Sequence, residues 1–72
     1  MSEIRFEIWK STEDGQWYWH VGSVGNNEIL ARSTDGYVNR SDCLHSLQLV
    51  RRGGASARVF DRDTAQFLAM PT

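Results

Sequence analysis

The sequence predicts an α+β fold, in which an antiparallel sheet packs with one face against a single amphipathic helix. Residues 16–33 support the sheet, because apolar and polar side chains alternate there on both sides of a turn rich in glycine and asparagine. Residues 40–52 support the helix, because their apolar side chains recur at helical spacing. Trp17 and Trp19 share one strand face, so we expect the other elements to cover this large apolar surface.

Three strands are predicted in the first half of the chain. The first covers residues 3–10, where apolar and polar side chains again alternate. The turn at residues 11–15 ends in an Asp-Gly pair, which suits the positive φ of a hairpin loop. The segment 16–33 supplies the other two strands. Three strands joined by short loops predict an antiparallel meander.

The helix is predicted to begin after Asn39, whose side-chain oxygen is expected to cap the first turn. The glycine pair that follows residue 52 is expected to end the helix. Its apolar stripe comprises Cys43, Leu44, Leu47 and Val50. Its polar side comprises His45, Ser46, Gln48, Arg51 and Arg52. We expect the apolar stripe to cover Trp17 and Trp19.

The last part of the chain predicts a short fourth strand at residues 56–61 and a tail at residues 61–72. The tail contains Phe67, Leu68 and Met70, which are too apolar to remain in water. We expect it to pack either back on the sheet or onto a second subunit. Because no repeat or linker divides the sequence, residues 1–72 are predicted to form a single domain.

The length of the chain predicts self-association. A 72-residue domain buries only about 60% of the surface that its unfolded chain exposes, so its own core stabilises it weakly. The single cysteine, Cys43, cannot form an internal disulfide. Two histidines and one cysteine do not complete a closed zinc site without carboxylates. We therefore expect a homodimer that holds no metal and no cofactor.

The charge balance argues against general nucleic-acid binding, and the hydropathy argues against a membrane span. Eight basic and nine acidic residues give a net charge of −1, so no positive field attracts phosphates. No apolar run approaches the roughly 18 residues that a membrane helix needs, and the first ten residues lack the apolar segment of a signal peptide. Together with the free thiol, these features predict a cytoplasmic protein.

Four segments, in order along the chain, resemble motifs of the YegP-like family of small domains of unknown function. They are residues 15–21 (GQWYWHV), 31–37 (ARSTDGY), 43–50 (CLHSLQLV) and 57–61 (ARVFD). They are similar, respectively, to the aromatic strand of the family, its A-x-S-x-(D/E)-G-Y turn, its C-L-x-x-I-x-x-V helix and its closing strand. The resemblance implies a β(3)-α-β unit, present as a tandem repeat or as two subunits that share one sheet and exchange C-terminal strands.

The chain also departs from this family pattern. The hairpin turn at residues 25–27 is about one residue longer than the tight Asn-Gly turn of the family. Tyr18 and His20 stand where the family usually has basic residues. No activity is attached to the family, so the resemblance implies no catalytic residue.

The residues themselves do not indicate an enzyme or a metal protein. Cys43 and His45 are two positions apart on the predicted helix, about 200° around its axis, so the histidine cannot act as base for the thiol. His20 is expected on the sheet face opposite the helix, which separates it from His45. We therefore predict no catalytic residue and no metal ligand.

The sheet face away from the helix is the one predicted binding surface. Its candidate residues are Arg5, Trp9, Tyr18, His20 and Arg32. Exposed aromatic rings among basic groups are typical of platforms that stack single-stranded nucleic acid, whereas Glu7 and the net charge oppose that use. The sequence favours the simpler interpretation, a solvated face with aromatic cross-strand pairs or one covered by the tail or another chain. The sequence thus predicts a non-enzymatic, dimeric binding or interaction module of unknown ligand, with a nucleic-acid binder as the alternative.

Overall fold

The computed structural model describes residues 3–69, which form a three-stranded sheet, one helix and a separate two-stranded hairpin. The elements, in chain order, are β1 (Ile4–Lys10), β2 (Trp17–Ser23), β3 (Ile29–Arg32), α1 (Arg40–Gly53), β4 (Val59–Asp61) and β5 (Gln66–Leu68). This arrangement confirms the predicted α+β class.

The three-stranded sheet has the order β1-β2-β3 and is antiparallel throughout, as the alternation predicts. Strand β1 pairs with β2 over its whole length, with Ile8 opposite Trp19. Between β2 and β3 the register shifts after Val21, because Val21 pairs with Ala31 and Gly22 with Ile29, so the unpaired Leu30 forms a bulge in β3. The turn before β2 contains Gly15 at φ 70°, so the predicted positive φ of the Asp-Gly pair is confirmed.

The helix begins after Asn39, as predicted, but the predicted cap is wrong in its chemistry. Within residues 3–69 the Asn39 side chain makes no capping hydrogen bond, and its Nδ2 donates to Oδ2 of Asp42 at 3.3 Å. The amide thus binds a carboxylate in the first turn instead of a backbone N–H group. The helix ends at the predicted glycine pair, where Gly54 keeps a helical φ of −58° and its N–H donates to the carbonyl of Val50 at 2.9 Å.

The core lies between α1 and the sheet, so the prediction that the helix covers the tryptophan face is confirmed. The buried apolar residues are Trp19, Val21, Cys43 and Leu47, and Phe6, Ile8, Trp17 and Tyr37 pack around them. Trp19 is only 6% exposed.

The Trp19 indole is also hydrogen-bonded to the helix, through Ser46, a residue that the sequence pattern places on the polar side of the helix. Its Nε1 donates to Oγ of Ser46 at 2.8 Å, and that hydroxyl donates to the Cys43 carbonyl at 2.9 Å. Ser46 is half-buried, so its predicted place on the polar side of the helix is wrong. A buried indole N–H needs a polar partner, and the serine satisfies it.

The end of the chain differs from the prediction. The fourth strand is shorter than expected, and the tail forms β5, which pairs antiparallel with β4. Of the two expectations for the tail, packing back on the sheet is wrong, because β5 contacts β4 and no other described helix or strand. Phe60 contacts Phe67 across this hairpin at a centroid distance of 5.0 Å. Met70 lies outside the described residues.

Candidate binding surface on the outer face of the sheet

The side of the sheet opposite α1, called here the outer face, collects every residue of the predicted binding surface. Arg5 and Trp9 lie on β1, Tyr18 and His20 on β2, and Arg32 on β3. The register places Trp9 opposite Tyr18, and it places His20 opposite Arg32. The strand period of two therefore located these side chains correctly on one face.

Three rings of the outer face form one aromatic cluster. Trp9 stacks with Tyr18 at a centroid distance of 6.0 Å and an interplanar angle of 24°. The same indole contacts the His20 ring at 4.9 Å, tilted by 51°. Trp9 remains 40% exposed. Aromatic rings on adjacent strands stabilise each other, so the indole keeps a defined orientation while one side stays open to a ligand.

Glu7, in the middle of the outer face, has basic partners on both sides. His20 Nε2 donates to its Oε1 at 2.7 Å, and Arg5 lies 3.5 Å from its Oε2. The hydrogen bond from His20, and then the Arg5 charge, lower the pKa of the Glu7 carboxyl. In the sequence, the negative charge of Glu7 argues against anion binding on this face. In the structure, Arg5 and His20 largely balance that charge.

Asp14, in the turn before β2, fixes the position of the Tyr18 hydroxyl. The sequence gives no signal for this role. The Tyr18 hydroxyl donates a short hydrogen bond to Oδ2 of Asp14, and the Gln16 N–H donates to Oδ1 of the same carboxylate at 2.9 Å. These hydrogen bonds lower the pKa of Asp14, and the hydrogen bond to Asp14 raises the pKa of Tyr18. Tyr18 is thus a neutral phenol with a fixed orientation beside an ionised carboxylate.

The aromatic cluster borders a pocket of about 520 Å³. Residues that line it include Trp9, Tyr18, His20, Arg32, Glu13 and Asp14. Glu13 and Asp14 belong to the β1–β2 turn. Strand periodicity assigns side chains to a face only within strands, so it could not predict these two. Arg32 forms no ion pair with another described residue. A smaller pocket of about 130 Å³ adjoins it along the sheet and includes Arg5 and Glu7.

The turn after β3 lies beside β2, is hydrogen-bonded to it and forms part of the pocket wall. Ser33 N–H donates to the Trp19 carbonyl at 2.9 Å, and Trp17 and Tyr37 exchange backbone hydrogen bonds of 2.7 and 2.9 Å. A Cβ atom on Gly36 would lie 2.8 Å from the Tyr18 hydroxyl and would also contact the Gln16 side chain. The turn can approach β2 this closely only with glycine at position 36.

The helix residues considered for catalysis do not come together. Cys43 is fully buried, and burial raises the pKa of its thiol. His45 is exposed on α1. Within residues 3–69 no three acidic, histidine or cysteine side chains are grouped as a metal ion would require. No helix of this part of the chain combines the length and apolar character needed to cross a membrane.

Comparison with known proteins identifies a family but not an activity. No curated protein matches the sequence. The NMR solution structure of a protein from Haloferax volcanii is similar, with a TM-score of 0.69 and 24% sequence identity, over 85% of this chain and 98% of that chain. At this identity the likeness supports the fold alone.

A family described as a domain of unknown function, DUF1508, matches residues 13–61. This range begins in the turn before β2 and ends with the last residue of β4. It includes the aromatic strand, the glycine-containing turn and the helix that together form the core and most of the pocket. The match covers more than half of the sequence, and the chain therefore belongs to the DUF1508 family of domains of unknown function.

Proposed function

We propose that the protein is a non-enzymatic homodimeric binding module, in which a second copy covers the apolar side of the β4–β5 hairpin and the outer face of each copy remains free for a ligand. The observation that supports the dimer most directly is the amount of apolar surface that one copy leaves in water.

The exposed area of one copy is larger than that of a typical compact monomer of the same mass. The chain exposes 6175 Å², whereas a folded monomer of this mass typically exposes about 4,500 Å². The excess is about twice the ~800 Å² that each partner buries in a standard protein interface. The radius of gyration is 14.6 Å, compared with about 11 Å for a compact domain of this length.

The β4–β5 hairpin contributes apolar side chains to this exposed surface. Phe60 and Phe67 pair on one face, the apolar side that the second copy covers, and are 48% and 54% exposed. Val59 and Leu68 pair on the other face of the hairpin and are also exposed. An isolated two-stranded hairpin is at best marginally stable in water. Because β4 and β5 pair with no other described strand, a further packing partner is needed to keep them ordered.

A second copy of the chain supplies a surface that complements the hairpin. Leu49 and Val50, which belong to α1 and therefore lie on the side of the sheet opposite the outer face, are exposed as well. In a two-fold dimer, the hairpin of each copy packs against this surface of the other, so both unpaired apolar regions are buried by one symmetric contact. The exchanged C-terminal strands that the YegP-like resemblance implies fit the same arrangement.

Three further features support a binding role in the cytoplasm. Cys43 is buried and His45 is exposed, so these two residues do not form a nucleophile–base pair. The pocket on the outer face is open and lined by aromatic and charged side chains. A free thiol is typical of proteins kept in a reducing compartment, which fits the cytoplasm.

Sedimentation equilibrium at micromolar concentration tests the dimer. The expected mass is twice the 8.2 kDa of one chain. Phe67→Asp places a charge in the apolar side of the hairpin, so we expect it to shift the mass to that of one chain. Thr64→Asp places the same charge in the exposed turn of the same hairpin and serves as the matched control, with the dimer mass retained.

A parent protein that sediments as one chain at these concentrations, with the circular dichroism of a folded α+β domain, would contradict the proposed dimer. A Phe67→Asp variant that remains dimeric would place the interface elsewhere and contradict the proposed role of the hairpin.

A further inference from the structure

We propose that the outer-face pocket binds a cationic group, an ammonium or a guanidinium, against the exposed rings of Trp9 and Tyr18. This site goes beyond the proposed dimer and specifies the chemistry of the ligand that the proposed binding module takes. The ligand group belongs to a small organic cation or to a basic side chain of a partner protein, and the two sources are separated by the test below.

The shape of the site suits a compact cation. The pocket of about 520 Å³ is open to solvent on one side and is bordered by the stacked pair of Trp9 and Tyr18. His20 packs on the edge of the cluster at 4.9 Å from Trp9 and limits its rotation. Cations bind over the negative faces of aromatic rings, and tryptophan is the most favourable ring. The indole orientation is therefore set before a ligand arrives.

The charge around Tyr18 is negative, so a positively charged ligand is favoured there. Glu13 and Asp14 both line the pocket from the β1–β2 turn. The Tyr18 hydroxyl donates to the Asp14 carboxylate, and this hydrogen bond transfers electron density toward the phenol ring. The pKa of Tyr18 is raised first by that hydrogen bond and then, after desolvation, by the charges of Asp14, Glu13 and Asp35. A cation over this ring gains from the same field.

The basic groups of the outer face do not reverse this sign. Arg5 and His20 are both paired with Glu7. Arg32 lies on β3, whereas Glu13 and Asp14 lie in the turn that joins β1 to β2, and β2 separates the two strands. The pocket is thus acidic on the β1 side and basic on the β3 side. A cation near Trp9 lies on the acidic side, whereas a phosphate would meet the Glu13 and Asp14 carboxylates, which form no ion pair with another described residue.

An NMR titration of the full-length protein with tetramethylammonium chloride tests the site. We expect the indole Nε1–H signal of Trp9 to shift with saturation, while that of Trp19 stays unchanged because it is buried and bonded to Ser46. Sodium chloride at the same ionic strength and tert-butanol, a neutral molecule of similar shape, are the controls. An equal shift with tert-butanol would show apolar binding only and would overturn the proposal, as would the absence of any shift.

Three variants test the aromatic ring and the sign of the charge around it. Trp9→Leu is expected to weaken tetramethylammonium binding roughly three- to tenfold, since it removes the ring. Glu13→Gln removes one carboxylate and breaks no hydrogen bond among the described side chains. It is expected to weaken tetramethylammonium binding about twofold. Arg32→Gln is expected to strengthen it by a similar factor. Opposite effects of the last two variants, together with tighter binding of uridine monophosphate than of tetramethylammonium, would overturn the proposal in favour of the nucleic-acid alternative.

Methylguanidinium and a short arginine-containing peptide, compared on the parent protein, separate the two sources of the cation. Tighter binding of the peptide supports a partner protein, and equal binding supports a small cation, with the proposed group confirmed in both cases. Sedimentation of the same samples reports the dimer independently. A monomeric protein that still binds tetramethylammonium would contradict the proposed dimer alone, whereas a dimer that binds no cation would contradict this site alone.

Discussion

Trp19 provides the strongest test of how the core is built. Its indole is 6% exposed and packs against Phe6 at a centroid distance of 6.0 Å. Replacing a buried tryptophan by alanine typically costs 3–5 kcal/mol, and a chain of this length has a total stability of about 4–11 kcal/mol. We therefore expect Trp19→Ala to remove between about a quarter and all of the free energy of unfolding. A less disruptive change, Trp19→Phe, is expected to cost about 2 kcal/mol.

Urea denaturation followed by circular dichroism measures both changes. The protein concentration is held fixed throughout, because the stability of a dimer depends on it. Trp9→Ala is the control on the outer face, where the indole is 40% exposed, and it is expected to cost only about 1 kcal/mol. The urea midpoint should therefore fall far more for Trp19→Ala than for Trp9→Ala.

A double-mutant cycle isolates the hydrogen bond within this contact. Trp19→Phe and Ser46→Ala each remove one partner of the bond between Nε1 and Oγ. We expect their combined cost to fall short of the sum of the single costs by about 1 kcal/mol. Strictly additive costs would show that the bond contributes nothing. An unchanged urea midpoint for Trp19→Ala would refute the whole placement of α1 over this face.

Three further predictions concern the turn, the pocket and the thiol. Gly36→Ala is expected to destabilise the fold by about 1–3 kcal/mol in urea denaturation, because its Cβ atom meets Tyr18; an unchanged midpoint would contradict the close approach. Tyr18→Phe is expected to raise the pKa of Asp14 toward its ordinary value in a carboxyl NMR titration, since the lowering hydrogen bond is lost. The pH-dependent part of the stability difference between this variant and the parent should be fully present above pH ~4 and be lost as the pH falls through the lowered pKa of Asp14 in the folded parent; a difference that does not change with pH would contradict the linkage. Cys43 is expected to react with iodoacetamide only in urea, because it is buried and its pKa is raised; equally fast labelling of the folded protein would contradict its burial.

Much of the sheet and of the binding surface could be predicted from the sequence, because both follow from the two-residue period of a strand. That period placed Trp19 toward the helix, and it placed Trp9, Tyr18 and His20 together on the other side. Cross-strand neighbours such as Trp9 and Tyr18 then follow from the register of a short hairpin.

The remaining features depend on contacts between distant parts of the chain. Ser46 looks like a surface residue in the helical pattern, and its role appears only when the Trp19 indole is placed beside it. Asp14 belongs to a turn, where no periodicity ranks side chains, although it holds the Tyr18 hydroxyl. Strand β5 has only three residues, too few to show a period, so its pairing with β4 could not be predicted.

The central claim is that the apolar side of the β4–β5 hairpin is covered by a second copy of the chain. Isotope-filtered NMR on a sample refolded from equal amounts of labelled and unlabelled protein tests it most directly, because it detects only contacts between copies. We expect nuclear Overhauser effects from the Phe67 ring of one copy to the methyl groups of Leu49 or Val50 in the other. The absence of every contact between copies, with Phe67 in contact only with its own chain, would contradict the claim.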